Sequence, residues 1–117
     1  MKPLDKAQGI LQAHPDLVGF FNTDDDSTIA IADEVSAKDL QTKVVGVDSS
    51  PDVLSLLEQG KISGVVVQNP YGMGKKTVEL IVAVSKDENP SEKNVVSESV
   101  WVTTENLNDP VVQQIVN

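Results

Sequence analysis

Apolar positions along the chain alternate between two kinds of pattern. Ala7, Ile10, Leu11 and His14 recur at helical spacing behind Asp5, which can cap the start. Pro15 disfavours a helical residue before it, so the spacing predicts a helix over about residues 5 to 14. Leu17-Val18-Gly19-Phe20-Phe21 is a short continuous apolar run, the mark of a strand covered on both faces. Helical spacing returns from Ser27 or Thr28 to about Lys38 through Ile31, Ala32 and Val35, and Val44-Val45-Gly46-Val47 forms a second run. Ser50 can cap a helix that opens on Pro51 and carries Val53, Leu54, Leu56 and Leu57. Gly60 stands where a left-handed residue would close it. A third run, Val65-Val66-Val67, leads into Asn69-Pro70 and a helix face marked by Met73, Thr77, Leu80, Ile81 and Val84.

Three rounds of strand then helix, joined by short connections, imply right-handed crossovers and an α/β three-layer sandwich with a mainly parallel sheet. Residues 85–94 are polar, charged and interrupted by Pro90, and read as an exposed loop. Residues 95–117 then supply a terminal strand, alternating from Val95 to Val102, and a short helix announced by Asn108-Asp109-Pro110. A length of 117 residues leaves room for a single domain. No internal repeat or low-complexity segment interrupts it.

Composition narrows the partners. Apolar residues make up 39%, mostly aliphatic, with Phe20, Phe21, Tyr71 and Trp101 as the aromatics, which suits a core of aliphatic layers. A formal charge of −9 repels a phosphate backbone, so no nucleic acid is expected as partner. Cysteine is absent, which excludes disulfide and thiolate chemistry without fixing a compartment. No apolar run approaches the roughly 20 residues needed to span a bilayer. The opening Met1-Lys2-Pro3-Leu4-Asp5 carries no signal-peptide segment, so any export signal is expected to have been removed or to lie upstream.

In an open parallel sheet, ligands bind beyond the carboxyl ends of the strands. The residues there are Thr23-Asp24-Asp25 after the first run, Asp48-Ser49-Ser50 after the second and Gln68-Asn69 after the third. Carboxylates accept hydrogen bonds from vicinal hydroxyls and an amide both donates and accepts, so Asp24, Asp48 and Gln68 suit a polyol better than an anion. Thr23 and Asp25 are further candidates. Asp, Ser and Asn after strands also serve simply as helix caps. Asp48 is not needed for that, because Ser49 and Ser50 follow it. Trp101 can stack on a sugar ring, although a strand position near the rim more often serves packing or a hinge. Asp24-Asp25-Asp26 does not continue into a calcium loop, since Ile29 and Val35 fill the positions that need glycine and glutamate. Gly72 and Gly74 lack the full phosphate-binding fingerprint and fit close helix packing, and the single His14 is explained by its place at a helix end. No nucleophile, base and orienting group can be assembled, which argues against an enzyme, and no metal or cofactor is implied.

Phe21-Asn22-Thr23-Asp24-Asp25, Val44-Val45-Gly46-Val47-Asp48 and Val66-Val67-Gln68-Asn69-Pro70 resemble, in order and spacing, the carboxy-terminal lobe of type I periplasmic binding proteins of the ribose and galactose type. Leu11-Gln12-Ala13-His14-Pro15-Asp16-Leu17 and Leu57-Glu58-Gln59-Gly60 fit as well, so the resemblance covers essentially the whole chain. It implies a flavodoxin-like partial lobe of the substrate-binding component of an ABC sugar importer, periplasmic or at the cell surface in the parent protein. It also implies a monosaccharide ligand and a membrane permease as partner. Asp48 and Gln68 match the family's sugar-binding Asp and Gln. Asp24 stands where many members have an Asn that bonds sugar hydroxyls, a departure that implies a different hydroxyl pattern, an aminated ligand or a position that no longer binds. Members carry an amino-terminal lobe first, and two strands ahead of the helix at residues 5 to 14. Without them one sheet edge is left open, so a homo-oligomer paired through that edge is expected, and the isolated partial lobe should bind sugar weakly or not at all.

Other readings share the layer order. A phosphoacceptor domain would need a lysine after a later strand, where Gln68-Asn69-Pro70 stands. The effector-binding half of a sugar-responsive repressor would need a DNA-reading head. A non-binding interaction lobe is the third alternative.

Overall fold

The computed structural model describes residues 2–86, 88 and 94–116. Its elements run α1 (Pro3–Ala13), β1 (Gly19–Phe21), α2 (Asp25–Ala37), β2 (Lys43–Val47), α3 (Pro51–Glu58), β3 (Gly64–Gln68), α4 (Pro70–Ser85), β4 (Ser99–Val102) and α5 (Pro110–Val116). The strands form one sheet in the order β1-β2-β3-β4, with β1, β2 and β3 parallel and β4 antiparallel to β3. This is the expected α/β class with a mainly parallel sheet. The anticipated loop at residues 85–94 lies largely outside the described residues.

Local chemistry sets most boundaries. Pro3 opens α1 and the Asp5 carboxylate accepts from the Lys2 N–H at 3.4 Å, so the helix begins before the capping residue expected from sequence. Helix α2 likewise starts at Asp25 rather than at Ser27. Asp24 is its N-cap and accepts from the Ser27 N–H, and Asp25 and Asp26 put negative charge at the positive end of the helix dipole. Ser50 and Asn69 cap α3 and α4 as their sequence context predicts, accepting from the Val53 and Gly72 amides. Gly60 takes φ +71° just beyond α3. Strand β4 is shorter than the alternation from Val95 suggests, for a topological reason. Ser99 pairs with Gln68, the last residue of β3, and beyond it the chain turns into α4, so residues 95–98 have no strand to pair with.

The two sheet faces are treated differently. Val44, Val65, Val67 and Val102 join one core cluster with Ala7 of α1, Ile31, Ala32 and Val35 of α2, Val53, Leu56 and Leu57 of α3 and Val112 of α5. Period-2 alternation puts Phe21, Val45, Val66 and Trp101 on the opposite face, and none of these belongs to that cluster. Helix α4 has no buried residue. The third layer of the sandwich is thus represented among the described residues only by a helix that packs closely on neither face. The radius of gyration, 17.8 Å, exceeds the about 13 Å of a compact domain of this length.

Candidate functional site

The carboxyl ends of β1, β2 and β3 lie side by side, because the parallel registers place Phe21 against Val45 and Val47 against Val66. Asn22 secures the first junction. It is 5% exposed, its backbone N–H donates to the Val45 carbonyl at 2.9 Å, and its side-chain amide donates to the same oxygen at 3.2 Å. The Asp48 N–H continues the next ladder by donating to the Val66 carbonyl at 3.0 Å. Strands in a sheet are about 4.8 Å apart, so the residues following β1, β2 and β3 form one polar row.

Asp48 is conformationally unusual within that row. Its φ is +80°, a region that non-glycine residues enter at a cost and that recurs at ligand-holding positions. The sharp turn leaves Ser49 and Ser50 to begin α3, and Ser50 alone supplies the cap. The Asp48 carboxylate and the Gln68 amide take no hydrogen bond among the described residues, and Asp48 is half-buried while Gln68 is exposed. Both groups therefore keep their hydrogen-bonding capacity at adjacent strand ends.

Asp24 is placed differently. One carboxylate oxygen accepts from the Ser27 N–H and the other from the Ser27 hydroxyl, both at 2.9 Å. The backbone bond first, then the hydroxyl bond, hold its carboxyl below the usual aspartate range, against a small opposing effect of burial. Its capping role is therefore plain, and each oxygen retains a lone pair for a further donor. Thr23 and Asp24 line a groove of about 340 Å³ with Phe20, Ser27 and, from α1, Lys6 and Ile10. That groove runs along the open edge of β1, and Asp48 and Gln68 are not part of it. Asp25, the first residue of α2, has a buried carboxylate oxygen with no partner among the described residues.

Trp101, a candidate for stacking on a sugar ring, stands apart from this row. It pairs with Val66, and its ring lies over the Cα of Gly64, at the amino end of β3. Gln68 lies four residues further along that strand, about 13 Å away. The Trp101 contact with Gly64 is a packing contact. Among the described residues, Asn22 and Thr28 are buried polar residues that sequence reasoning did not put forward as site residues. Thr28 donates from its hydroxyl to the Asp24 carbonyl at 2.8 Å and so fixes the turn that presents Thr23 and Asp24. A polar residue closing an apolar run, as Asn22 does, was the available signal for the first. No group of three or more His, Cys, Asp or Glu among the described residues is arranged to hold a metal ion. No helix among them is long and apolar enough to cross a membrane.

The sequence profile of the periplasmic binding protein domain matches residues 2–89. The chain is 30% identical over 88 residues to the D-allose-binding periplasmic protein of Escherichia coli, covering 74% of this chain and 28% of that protein. It is 32% identical over 93 residues to the ribose import binding protein RbsB of Salmonella typhimurium, covering 79% and 31%. Among solved structures, a carbohydrate transporter solute binding protein from Agrobacterium radiobacter, in complex with D-arabinose, superposes with a TM-score of 0.85 at 32% identity. That match covers 98% of this chain and 39% of the other. The chain thus spans about a third of the length of these relatives. It belongs to the periplasmic binding protein domain family, as a partial lobe of the type I fold.

Proposed function

We propose that this chain is part of the substrate-binding component of an ABC sugar importer, and that its strand ends supply one side of a monosaccharide site. The observation that carries this reading is Asp48, held at φ +80° at the end of β2 with an uncommitted carboxylate, one strand from the uncommitted Gln68 amide. A carboxylate beside an amide matches the vicinal hydroxyls of a pentose or hexose. The relatives named for ribose and D-allose, and the structure with D-arabinose, support that ligand class. Asp48 and Gln68 are the principal contacts in this proposal. Thr23, Asp24 and Asp25 contribute at the neighbouring strand end, with Asp24 serving first as a helix cap. The parent protein delivers its sugar to a membrane permease from the periplasm or the cell surface and performs no chemistry on it.

One side of a cage binds weakly, because the ordering and desolvation costs of binding are met by fewer contacts. Titration of isotopically labelled chain with ribose, allose, arabinose, glucose and galactose, followed by amide chemical shifts, tests the proposal. Saturable shifts in the millimolar range, centred on Asp48, Ser49 and Gln68 and lost in Asp48→Ala, are expected. Shifts centred elsewhere, or none with any of these sugars, would overturn the site. Micromolar affinity would overturn the view that the site here is one-sided.

A further inference from the structure

The turn that carries Thr23 and Asp24 is fastened at both ends, and to neighbouring residues of β2. At its start, Asn22 gives the Val45 carbonyl two hydrogen bonds, from its backbone N–H at 2.9 Å and from its side-chain amide at 3.2 Å. At its far end the Thr28 side chain rests on the Cα of Gly46, and the Thr28 hydroxyl donates to the Asp24 carbonyl at 2.8 Å. Both fastening residues are buried. Val45 and Gly46 belong to the strand that ends at Val47, and Asp48 is the next residue. The place of the turn relative to Asp48 is thus set through two adjacent residues of one strand.

Of the two fastenings, the Asn22 side chain is the one that strand pairing does not require. The Asn22 N–H already completes the rung beside the Phe21 and Val45 pair. A parallel ladder would continue by joining the Val47 N–H to the Asn22 carbonyl, and that bond is not made. Strand β1 leaves the sheet at this point. A buried amide without a partner is costly, and the partner this one takes is the Val45 carbonyl, reached where the chain turns away from β2. An apolar side chain could be buried in the same place without making that demand. We propose that Asn22 is a positioning residue for the sugar site: its side-chain bond to the Val45 carbonyl fixes the spacing between Thr23 and Asp24 at one strand end and Asp48 at the next. Buried as it is, Asn22 acts through those residues and not on the ligand. The gain is preorganisation. Acceptors on two strand ends hold vicinal hydroxyls together only at a fixed separation, and freedom in either end adds an ordering cost to binding. This inference rests on the sugar reading given above.

Titration of the isotopically labelled chain with ribose, followed by amide chemical shifts at each strand end, tests the role. Asn22→Leu keeps nearly the same volume and removes the donor. Asp48 and Gln68 should still respond to ribose in this variant, while the responses of Thr23 and Asp24 are largely lost. The apparent Kd should rise roughly three- to tenfold, the effect of about one hydrogen bond. Asn22→Ser keeps a hydroxyl donor and should fall between Asn22→Leu and the original, and it supplies the reading if Asn22→Leu does not fold. Undiminished affinity with unchanged Thr23 and Asp24 responses in either folded variant would overturn the positioning role. So would a proportional loss at all four residues together with a lower Tm, because that pattern marks a residue that only stabilises the fold. Absence of any ribose response at Asp48 and Gln68 in the unsubstituted chain would instead overturn the sugar reading, and this inference with it.

Discussion

Thr28 fills the space above the Cα of Gly46: a Cβ at position 46 would stand 2.6 Å from both the Thr28 methyl carbon and its hydroxyl oxygen. The contact fixes how closely α2 approaches β2, and Thr28, which is fully buried, also holds the Asp24 carbonyl. A single missing side chain on the sheet therefore positions the turn that carries Thr23 and Asp24.

Gly46→Ala should accordingly lower stability by about 1–3 kcal/mol, the usual cost of overpacking, read from the urea midpoint. Thr28→Ala destabilises as well, through a lost buried methyl and hydrogen bond. In the double variant the two 2.6 Å contacts go and only the Cβ of residue 28, at 3.2 Å, remains, so the combined loss should be smaller than the sum of the two by about 1 kcal/mol. Simple additivity would show that the contact carries no strain.

Asp48 separates stability from binding. Replacing it with Gly removes the penalty of a side chain at φ +80°, and the stability of Asp48→Gly should equal or exceed the original by up to about 1 kcal/mol. The sugar-dependent amide shifts should vanish in the same variant. Asp48→Val, β-branched at the same φ, should lose both. Retention of the shifts in Asp48→Gly would remove the carboxylate from the site.

The Asp24 cap gives stability a pH dependence of definite sign. Hydrogen bonds from Ser27 lower the folded-state pKa below the ordinary value of 3.8, so the unfolded chain takes up a proton first as pH falls. The contribution is complete above the unfolded value and is lost as pH drops through the folded one. Asn caps helices about as well as Asp but does not titrate there. Asp24→Asn should therefore stay folded at pH 7 and show a shallower loss of Tm on acidification below about pH 4. An unchanged acid limb would assign the pH dependence to other carboxylates.

Gly9 and Gly60 both have open space where a Cβ would stand, yet they should respond oppositely to alanine. Gly9 lies inside α1, so Gly9→Ala should raise stability by about 0.5–1 kcal/mol. Gly60 has φ +71°, and Gly60→Ala should lower it by about 1 kcal/mol. Thermal or urea unfolding of the two single variants checks both signs.

The order of elements, the α/β class and the caps at Ser50 and Asn69 were legible in the sequence, because each is set by neighbours within a few residues. The start of α2 was read two or three residues late, at Ser27 or Thr28 instead of Asp25. Both Asp24 and Ser27 are good capping residues, and only the hydrogen bond from the Ser27 amide shows which of them stands outside the helix. The sequence by itself also placed Asp48 and Gln68 at adjacent strand ends, since a polar residue that closes a buried run emerges at its end. Tertiary structure decided what those groups are free to do. Asp24 serves first as a helix cap, whereas the Asp48 carboxylate, at a positive φ, takes no hydrogen bond among the described residues, and torsion angles follow from packing rather than spacing. It decided too that the Trp101 ring settles on Gly64, a partner 37 residues away that no local pattern announces. It decided as well that, among the described residues, α4 buries none of its side chains. Period and composition show that a surface is apolar; only the three-dimensional arrangement shows whether anything covers it.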